Sequence, residues 1–244
     1  MSLSVSLIIP ARNEARSIER VLKISRKLRE VREIIVVDGG SSDRTPQIAE
    51  KLGARVIFQS LYRYPGKGIA MRDGFYYSTG EIIVYVDADI RNISEDFIKS
   101  LYQPILDAEA DFVKGSFTRK SDRITELVAK PLLRILYPEL IRFTHPLSGE
   151  IAGLRKSFEV VEWDPGWGVD IGILIDVYKA GLKILEKNLG FKDHKIKTPE
   201  MLTEMAYEVA EAIIRRAVRD RKLTAVEAEK LLEKYQNIDL GGVN

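Results

Sequence analysis

The strongest constraint on the fold is a repeated alternation, in the first half of the chain, of short apolar runs with longer amphipathic segments. The apolar runs are rich in β-branched residues, as buried strands are, and they cover residues 3–9, 33–37, 55–58 and 81–86. The segments between them begin with turn residues and place apolar side chains at helical spacing, as in residues 17–30. Strands that alternate with helices about every 20 to 30 residues predict an α/β fold with a doubly wound, mainly parallel sheet.

Composition excludes several classes of protein. Of the 244 residues, 45% are hydrophobic and 30% are charged, which is enough apolar material for a packed core. The 38 basic and 36 acidic side chains leave a net charge of +2, without the basic excess of a nucleic-acid-binding protein, and the absence of cysteine excludes disulfides and thiolate metal sites. No apolar run approaches the roughly 18 residues of a membrane span, and the chain opens with a strand rather than a signal peptide. We therefore expect a cytoplasmic protein with no membrane span and no nucleic-acid partner.

Two carboxylates follow the apolar run at residues 81–86. Asp87 and Asp89 flank the small residue Ala88 at the predicted carboxyl end of a strand, the edge where open α/β sheets bind ligands. Both side chains can face one divalent cation, and an oxygen-rich site without sulfur suits Mg2+ or Mn2+. Acids in this position also cap helices or form salt bridges in loops, so the pair alone leaves both interpretations open.

The loop after the first strand excludes the most common nucleotide-binding folds. Residues 10–14 read Pro-Ala-Arg-Asn-Glu, and neither the Gly-x-Gly-x-x-Gly fingerprint of dinucleotide-binding folds nor the phosphate-binding loop of the P-loop NTPases is present. A sugar nucleotidyltransferase would also carry a glycine-rich first loop. The strand ends must therefore bind a nucleotide, if they bind one, in a different way.

Three of these segments together resemble the nucleotide half of a GT-A glycosyltransferase, a nucleotide-diphospho-sugar transferase with a Rossmann-like fold: residues 10–14, 37–43 and 87–89. Their order and spacing are similar to those of the large inverting family that includes the dolichyl-phosphate mannosyltransferases. Four later segments resemble more specific motifs of the retaining glucosyl-3-phosphoglycerate synthases; they are residues 123–133, 146–150, 166–172 and 188–194. The resemblance covers nearly the whole chain in the right order.

The resemblance implies a donor site at the strand ends. Pro10, Arg12, Glu14 and Asp38 should form the nucleoside pocket, with Asp87 near the ribose or as an outer partner of the metal. Turn and cap chemistry is the alternative for each of these residues.

Two further donor contacts are expected. Lys67, between two glycines, is a cation aimed at the sheet edge, where it should contact the diphosphate rather than solvent. The resemblance assigns the metal, Mg2+ or Mn2+, to Asp89 and the late histidine His194, and such a cation neutralises charge on the departing nucleotide. Many relatives carry serine where this chain has Gly39, so UDP-glucose is the favoured donor and a GDP-sugar is possible.

The segment at residues 122–136 carries the evidence about the acceptor. If it is helical, Arg123, Lys130 and Arg134 share one face, which is a solvated face or an anion site. The resemblance assigns Arg123 and Thr125 to the phosphate and carboxylate of the acceptor, and an arginine with a hydroxyl at a helix start suits such anions. The expected acceptor is a small phosphorylated acid such as 3-phosphoglycerate.

Near the transferred sugar, Asp170 replaces a family glutamate and Trp167 a family tyrosine, so the hexose stays open, with glucose favoured. Glu150 is either a second carboxylate there or structural, and His145 matches no ligand position and is interpreted as structural. The residues expected to act in catalysis are Asp170, Lys67 and Arg123. The resemblance implies transfer on one face of the sugar, in which the leaving diphosphate helps to deprotonate the acceptor hydroxyl.

These observations predict a metal-dependent, retaining glycosyltransferase that moves a hexose from a nucleotide sugar to 3-phosphoglycerate. The alternatives are a polyprenyl-phosphate (dolichyl-phosphate-type) mannosyl- or glucosyltransferase and a non-catalytic domain that binds a nucleotide sugar. We expect a GT-A domain at residues 1–196, with a nucleotide half at about 1–118 and an acceptor half at about 119–196. A helical segment at 197–238 begins with an amphipathic helix at 199–219, whose apolar stripe should pack on the core or across a homodimer.

Overall fold

The computed structural model describes residues 3–61, 66–118, 123–193 and 198–236. Seven strands form one sheet: β1 (Val5–Ala11), β2 (Val31–Asp38), β3 (Arg55–Phe58), β4 (Ile82–Tyr85), β5 (Phe112–Ser116), β6 (Ile151–Leu154) and β7 (Ile184–Asn188). The α-helices are α1 (Ile18–Ser25), α2 (Thr45–Lys51), α3 (Lys67–Tyr77), α4 (Glu95–Leu106), α5 (Lys130–Leu136), α6 (Arg155–Glu159), α7 (Val169–Lys179), α8 (Pro199–Arg219) and α9 (Ala225–Gln236). A π-helix at Thr125–Ala129 precedes α5, and a 3-10 helix at Pro138–Arg142 follows it.

The sheet confirms the predicted α/β fold and its mainly parallel order. The strands follow the order β3-β2-β1-β4-β6-β5-β7, and β6 alone in this sheet runs antiparallel to its neighbours β4 and β5. Tyr85 at the end of β4 pairs with Ile151 at the start of β6, and Lys114 of β5 pairs with the same residue. The residues that precede β6 therefore lie at the edge where the carboxyl ends of β1, β2, β4 and β5 meet.

Two predicted boundaries were wrong for identifiable reasons. Pro10 does not end the first strand, which continues to Ala11, because β4 pairs with β1 only as far as Ile8. Beyond that point β1 has a single neighbour, and a missing N–H donor is tolerated there. The predicted helix at 17–30 ends at Ser25, and turns lead from it into β2.

The predicted helix at 122–136 is not one regular helix. Its first part widens into the π-helix, and α5 begins at Lys130 with Pro131 in its first turn. Proline lacks the N–H that would continue a regular ladder, so the change of helix type at this point has a local cause.

The apolar stripe of α8 packs on the core, one of the two arrangements predicted for it. Val209, Ile213 and Ala217 are buried in one cluster with Leu133 of α5 and Leu174 of α7. This cluster forms a second core beside the sheet, and it joins the C-terminal helices to the segment predicted to bind the acceptor. In the part of the chain that the structure describes, no helix is both long and apolar enough to cross a membrane.

Candidate active site

The carboxyl ends of β1 and β2 form the first part of the site. Asp38 is the last residue of β2 and is fully buried; its Oδ2 accepts hydrogen bonds from the N–H groups of Gly40 (3.1 Å) and Ser41 (3.0 Å). Its Oδ1 has no hydrogen-bond partner among the described residues. One oxygen of this carboxylate is thus fixed by the backbone, while the other can accept a hydrogen bond from a ligand hydroxyl.

The other predicted nucleoside contacts lie on the loop beside Asp38. Pro10 is half-buried at the end of β1, Arg12 is exposed, and the Oε2 of Glu14 accepts a hydrogen bond from the Ser17 hydroxyl at 2.8 Å. Asn13, which has a positive φ of 57°, ties this loop to the next one by accepting a hydrogen bond from the Ser42 N–H at 2.8 Å. The structure therefore places the four predicted nucleoside residues at one edge, at the ends of β1 and β2 and on the loop that follows β1.

A chain of alternating charges crosses the centre of the site. Lys67 Nζ lies 2.9 Å from Asp170 Oδ2 and 3.2 Å from Asp87 Oδ1. On the other side, Lys192 Nζ lies 3.0 Å from Asp87 Oδ2 and 2.6 Å from Glu150 Oε1. We call these five residues the ion chain. Its two lysine side chains are 11% and 6% exposed, so their charges act through a poorly solvated medium in which electrostatic interactions are strong.

The ion chain keeps both lysines charged. Burial lowers the pKa of Lys67, but the carboxylates of Asp170 and Asp87 raise it by more, so its pKa lies above the ordinary value. Lys192 shows the same balance, with Asp87 and Glu150 as the partners that raise its pKa. Burial opposes ionisation of Asp87, yet Lys192 and Lys67 hold its pKa well below the usual range. The site therefore offers two permanent ammonium groups to an anionic ligand.

Gly149 allows Lys67 and Asp87 to meet. A Cβ atom at this position would lie 2.2 Å from Lys67 Nζ and 3.0 Å from Asp87 Oδ1. The atom that it meets first is the far end of a flexible side chain, which can move away without disturbing the backbone. The missing side chain thus serves the geometry of the ion chain.

We predict that Gly149→Ala leaves the protein folded and displaces the Lys67 ammonium. Turnover should fall by about 10-fold or more, since a charged hydrogen bond is typically worth about 1.5–3 kcal/mol, while the melting temperature changes by only a few degrees. Steady-state kinetics and thermal unfolding of the same preparation check this. Gly68→Ala is the contrast, because there a Cβ would meet the backbone oxygen of Asp164 at 1.7 Å and the fold itself should suffer. Unchanged turnover in the Gly149 variant would contradict the argument.

Asp89 is suited to serve as one ligand of a hard cation. Its Oδ1 is buried and has no hydrogen-bond partner among the described residues, and its side chain lines the same cavity as the ion chain. Residues just after Asp89 hold the segment that leads toward position 194: Arg91 N–H donates to Asp193 O (2.8 Å), and Asn92 Oδ1 accepts from Asp193 N–H (2.8 Å). His194 lies outside the described residues. Within the described ranges, no three histidine, cysteine or acidic side chains are gathered as a metal site.

The cavity brings five of the predicted site residues together: Lys67, Asp87, Asp89, Thr125 and Asp170. Thr125 lies on its wall, fully enclosed in the π-helix, a helix type that is frequent at functional sites. Arg123, two residues earlier, is exposed and does not line the cavity as it stands. The full lining is Lys67, Asp87, Asp89, Phe117, Thr125, His145, Leu147, Ser148, Gly149, Glu150, Trp167, Asp170, Lys192, Met205 and Val209.

Sequence reasoning missed several of these residues. Lys192 lies inside the motif at 188–194, but the sequence pointed to a role only for His194 of that motif. Met205 and Val209 come from α8, and nothing in their spacing separates a cavity wall from a core stripe. His145, interpreted as structural, packs edge-on against Phe117 at 5.4 Å and also lines the cavity.

A third lysine lies behind the ion chain. Lys114 of β5 is fully buried, and its Nζ donates a hydrogen bond to the Asp170 carbonyl at 3.0 Å. Burial lowers the pKa of Lys114 to about 8, although Asp170 opposes that shift. This contact fixes the first turn of α7, from which the Asp170 side chain reaches Lys67.

Helix α8 also holds Trp167 in place. The backbone N–H of Trp167 donates to Glu208 Oε2 at 2.6 Å, and the centroid of the indole ring lies 6.0 Å from Lys67 Nζ. An indole beside an ammonium group is a favourable cation–π arrangement. The C-terminal helical segment thus forms part of the site rather than an appendage to it.

Comparison with known proteins identifies the same architecture elsewhere. The sequence pattern of glycosyl transferase family 2 matches residues 6–158. Glucosyl-3-phosphoglycerate synthase from Petrotoga mobilis is 34% identical over 98% of this chain and 76% of its own length. A more distant match, dolichol-phosphate mannosyltransferase from Pyrococcus furiosus, is 30% identical over 71% of this chain and 53% of its own length.

A crystal structure shows the same fold with ligands bound. It is glucosyl-3-phosphoglycerate synthase from Mycobacterium tuberculosis in complex with Mn2+, UDP-glucose and phosphoglyceric acid. It superposes with a TM-score of 0.82 at 37% identity and covers 88% of this chain and 80% of the other. The likeness therefore extends over most of the chain.

Proposed function

The chain belongs to glycosyl transferase family 2 and is an enzyme of the glucosyl-3-phosphoglycerate synthase type, and from that premise we propose that it transfers glucose from UDP-glucose to 3-phosphoglycerate. The observation that carries the proposal is the ion chain, which places two permanent ammonium groups beside Asp89 at the ligand-binding edge of the sheet. A nucleoside diphosphate carries negative charge where these groups lie. Thr125 and α8 form a wall of the cavity beyond them.

In this proposal the donor lies across the strand ends. Pro10, Arg12 and Glu14 enclose the base and ribose, and Asp38 accepts a hydrogen bond through its unpaired Oδ1. Lys67 binds the diphosphate, and it can do so because it is the first residue of α3, where the helix dipole also favours an anion. Asp87 orients this lysine.

We further propose that Asp89 and His194 hold a divalent cation, Mn2+ or Mg2+; the solved M. tuberculosis structure is a complex with Mn2+. Asp89 Oδ1 has no hydrogen-bond partner in the described ranges, and this supports the assignment, because a buried carboxylate oxygen without a partner is costly unless a ligand uses it. When bound, such a cation neutralises charge on the departing diphosphate and orients it.

Asp170 is the residue that we assign to the transferred sugar. Its Oδ2 is engaged with Lys67, while its Oδ1 is buried without a partner among the described residues and can accept a hydrogen bond from a sugar hydroxyl. The protein supplies position and fixed charge, which are the main sources of rate enhancement when no covalent nucleophile is present. We propose retention of configuration, with the leaving diphosphate helping to deprotonate the acceptor hydroxyl.

Arg123 and Thr125 are assigned to the anionic groups of the acceptor. We predict that Arg123→Ala raises the KM for 3-phosphoglycerate and lowers kcat/KM by roughly 10- to 150-fold, since a charged hydrogen bond is worth about 1.5–3 kcal/mol. Donor hydrolysis without acceptor should change little, and initial-rate kinetics of both reactions check this. Arg134→Ala, an exposed arginine on α5, is the matched control and should behave as wild type. Equal losses in donor and acceptor reactions would mean that Arg123 serves another ligand.

The proposal is tested directly by product formation. Purified protein is incubated with 3-phosphoglycerate, Mn2+ or Mg2+, and UDP-, GDP- or ADP-hexoses in turn, and the product is identified by mass and by the anomeric coupling in its NMR spectrum. We expect glucosyl-3-phosphoglycerate from UDP-glucose with the anomeric configuration of the donor. Transfer only to a polyprenyl phosphate, or inversion at the anomeric carbon, would overturn the proposal.

The two alternative functions make different predictions. A polyprenyl-phosphate transferase would act on a lipid acceptor, and a non-catalytic domain would bind UDP-glucose without turnover. Charged groups converge on the cavity, in the ion chain and Asp89, and favour a catalytic site over a degenerate one. We also propose that residues 1–118 bind the donor, that 119–196 with α8 bind the acceptor, and that the enzyme is a cytoplasmic homodimer, which light scattering in solution would test.

A further inference from the structure

We propose that Glu150 is a positioning residue that fixes Lys192 against the donor diphosphate. The inference rests on the proposed function, since it assigns both residues to the donor site. Glu150 immediately precedes β6 and is fully buried, and its carbonyl accepts a hydrogen bond from the Gly115 N–H at 2.8 Å. Its backbone is therefore anchored at the inserted antiparallel strand, in the middle of the ligand-binding edge.

Both carboxylate oxygens of Glu150 are engaged. Oε1 accepts a hydrogen bond from Lys192 Nζ at 2.6 Å, and Oε2 accepts one from the Ser148 hydroxyl at 3.0 Å. Ser148 is itself buried. The side chain is thus held from both sides, and it presents one oxygen to the lysine in a fixed direction.

Lys192 needs such a partner because of where it comes from. It lies after β7, outside any helix or strand, and it reaches the site through a flexible four-carbon stem. Its second carboxylate, Asp87, is shared with Lys67. Glu150 is the carboxylate that Lys192 does not share with the other lysine of the ion chain.

Removing the charge of Glu150 should therefore disturb donor binding specifically. Without it, Lys192 keeps only the carboxylate of Asp87, which it shares with Lys67, while Lys67 still has Asp170. Lys192 is then free to leave the position where a diphosphate would meet it. The proposed acceptor contacts, Arg123 and Thr125, lie just before and at the start of the π-helix, and they do not involve this pair.

The test compares Glu150→Gln with wild type by calorimetric titration with UDP in the presence of Mn2+ and by steady-state kinetics. We expect UDP to bind about 10- to 100-fold more weakly, in line with the loss of one charged hydrogen bond, with a raised KM for the donor and an unchanged KM for 3-phosphoglycerate. A purely structural role would instead lower the amount of folded protein and leave the affinity of the remainder unchanged. That outcome would overturn the proposal.

Two further variants keep the test decisive if Glu150→Gln folds poorly. Lys192→Met should weaken UDP binding, and Glu150→Gln combined with Lys192→Met should bind no more weakly than Lys192→Met alone, because Glu150 acts through the lysine. Additive losses, or wild-type affinity in Lys192→Met, would contradict the proposal. Glu186→Gln is the matched control, since that carboxylate accepts hydrogen bonds from Thr144 instead.

The readout also separates this inference from the proposed function. If wild-type protein binds UDP but transfers no glucose to 3-phosphoglycerate, the proposed acceptor is wrong while the comparison of UDP affinities still decides the role of Glu150. If the wild type binds neither UDP nor UDP-glucose, both fail together.

Discussion

Asp89→Asn should reduce metal-stimulated turnover by about 10^3-fold or more without destabilising the protein. A metal ion at such a site typically supplies several kcal/mol of transition-state stabilisation, and each 1.36 kcal/mol is about tenfold in rate. Asparagine keeps the shape of the side chain but removes the anionic charge that a hard cation requires. Because Asp89 Oδ1 is buried and has no hydrogen-bond partner among the described residues, the neutral amide should leave the melting temperature in EDTA unchanged or raise it.

The measurements are turnover as a function of Mn2+ concentration, calorimetric titration with Mn2+ in the presence of UDP, and thermal unfolding in EDTA. His194→Ala should show the same loss of Mn2+ affinity if both residues hold the ion. Asp107→Asn, which alters an exposed carboxylate on the turn after α4, is the matched control. Activity that survives in both site variants, or that is indifferent to EDTA, would rule out this metal site.

The alternation of strands and helices was sufficient to predict the α/β sheet, and α8 was predicted from Pro199 to Arg219 as the structure has it. The strand-end acids were predictable for the same reason, since the carboxyl ends of parallel strands meet at one edge. The position of Asp38 and Asp87 at that edge could therefore be predicted without any further information. The roles of the individual site residues remain predictions.

The sequence could not predict which distant residues would contact one another in the site. Lys192 and Glu150 are 42 positions apart, and they meet because β6 inserts antiparallel between β4 and β5. An antiparallel strand inside a parallel sheet has no separate signature in a short apolar run such as residues 151–154. The π-helix was not predicted either. A helical spacing of hydrophobic residues does not show which carbonyl accepts the hydrogen bond from each N–H.

Arg216 presents the second large expected effect, this time on stability. It is fully buried in α8, and its guanidinium donates to both oxygens of Asp176 at 3.0 and 2.7 Å and to Asp164 Oδ2 at 2.7 Å. Asp176 belongs to α7, and Asp164 lies in the loop that leads to Trp167. The guanidinium of Arg216 thus joins α8, α7 and the loop that ends in the cavity-lining residue Trp167.

We expect Arg216→Met to lower the free energy of unfolding by about 3–5 kcal/mol, because breaking a buried pair leaves Asp164 and Asp176 with only the partly exposed Arg215 and Arg219 as counter-charges. For a chain of this size that corresponds to a fall in melting temperature of roughly 6–20 °C. Burial already raises the pKa of Asp164 against the opposing effect of Arg216, so losing the arginine favours its protonated form further. Thermal and urea unfolding, followed by circular dichroism, measure the change.

Arg215 provides the control within the same turn of helix. It pairs with the same Asp164, at 2.6 Å, but its side chain is 45% exposed, and exposed pairs are typically worth only about 0–1 kcal/mol. Arg215→Met should therefore shift the melting temperature by a few degrees at most. If the two variants lose equal stability, burial is not what makes the Arg216 cluster strong. If only Arg216→Met is destabilised, and adding Asp176→Asn recovers part of the loss, the cost arises from a carboxylate that has lost its buried partner and keeps only the more exposed Arg219. Helix α8 is then bound to the site by charge as well as by its apolar stripe.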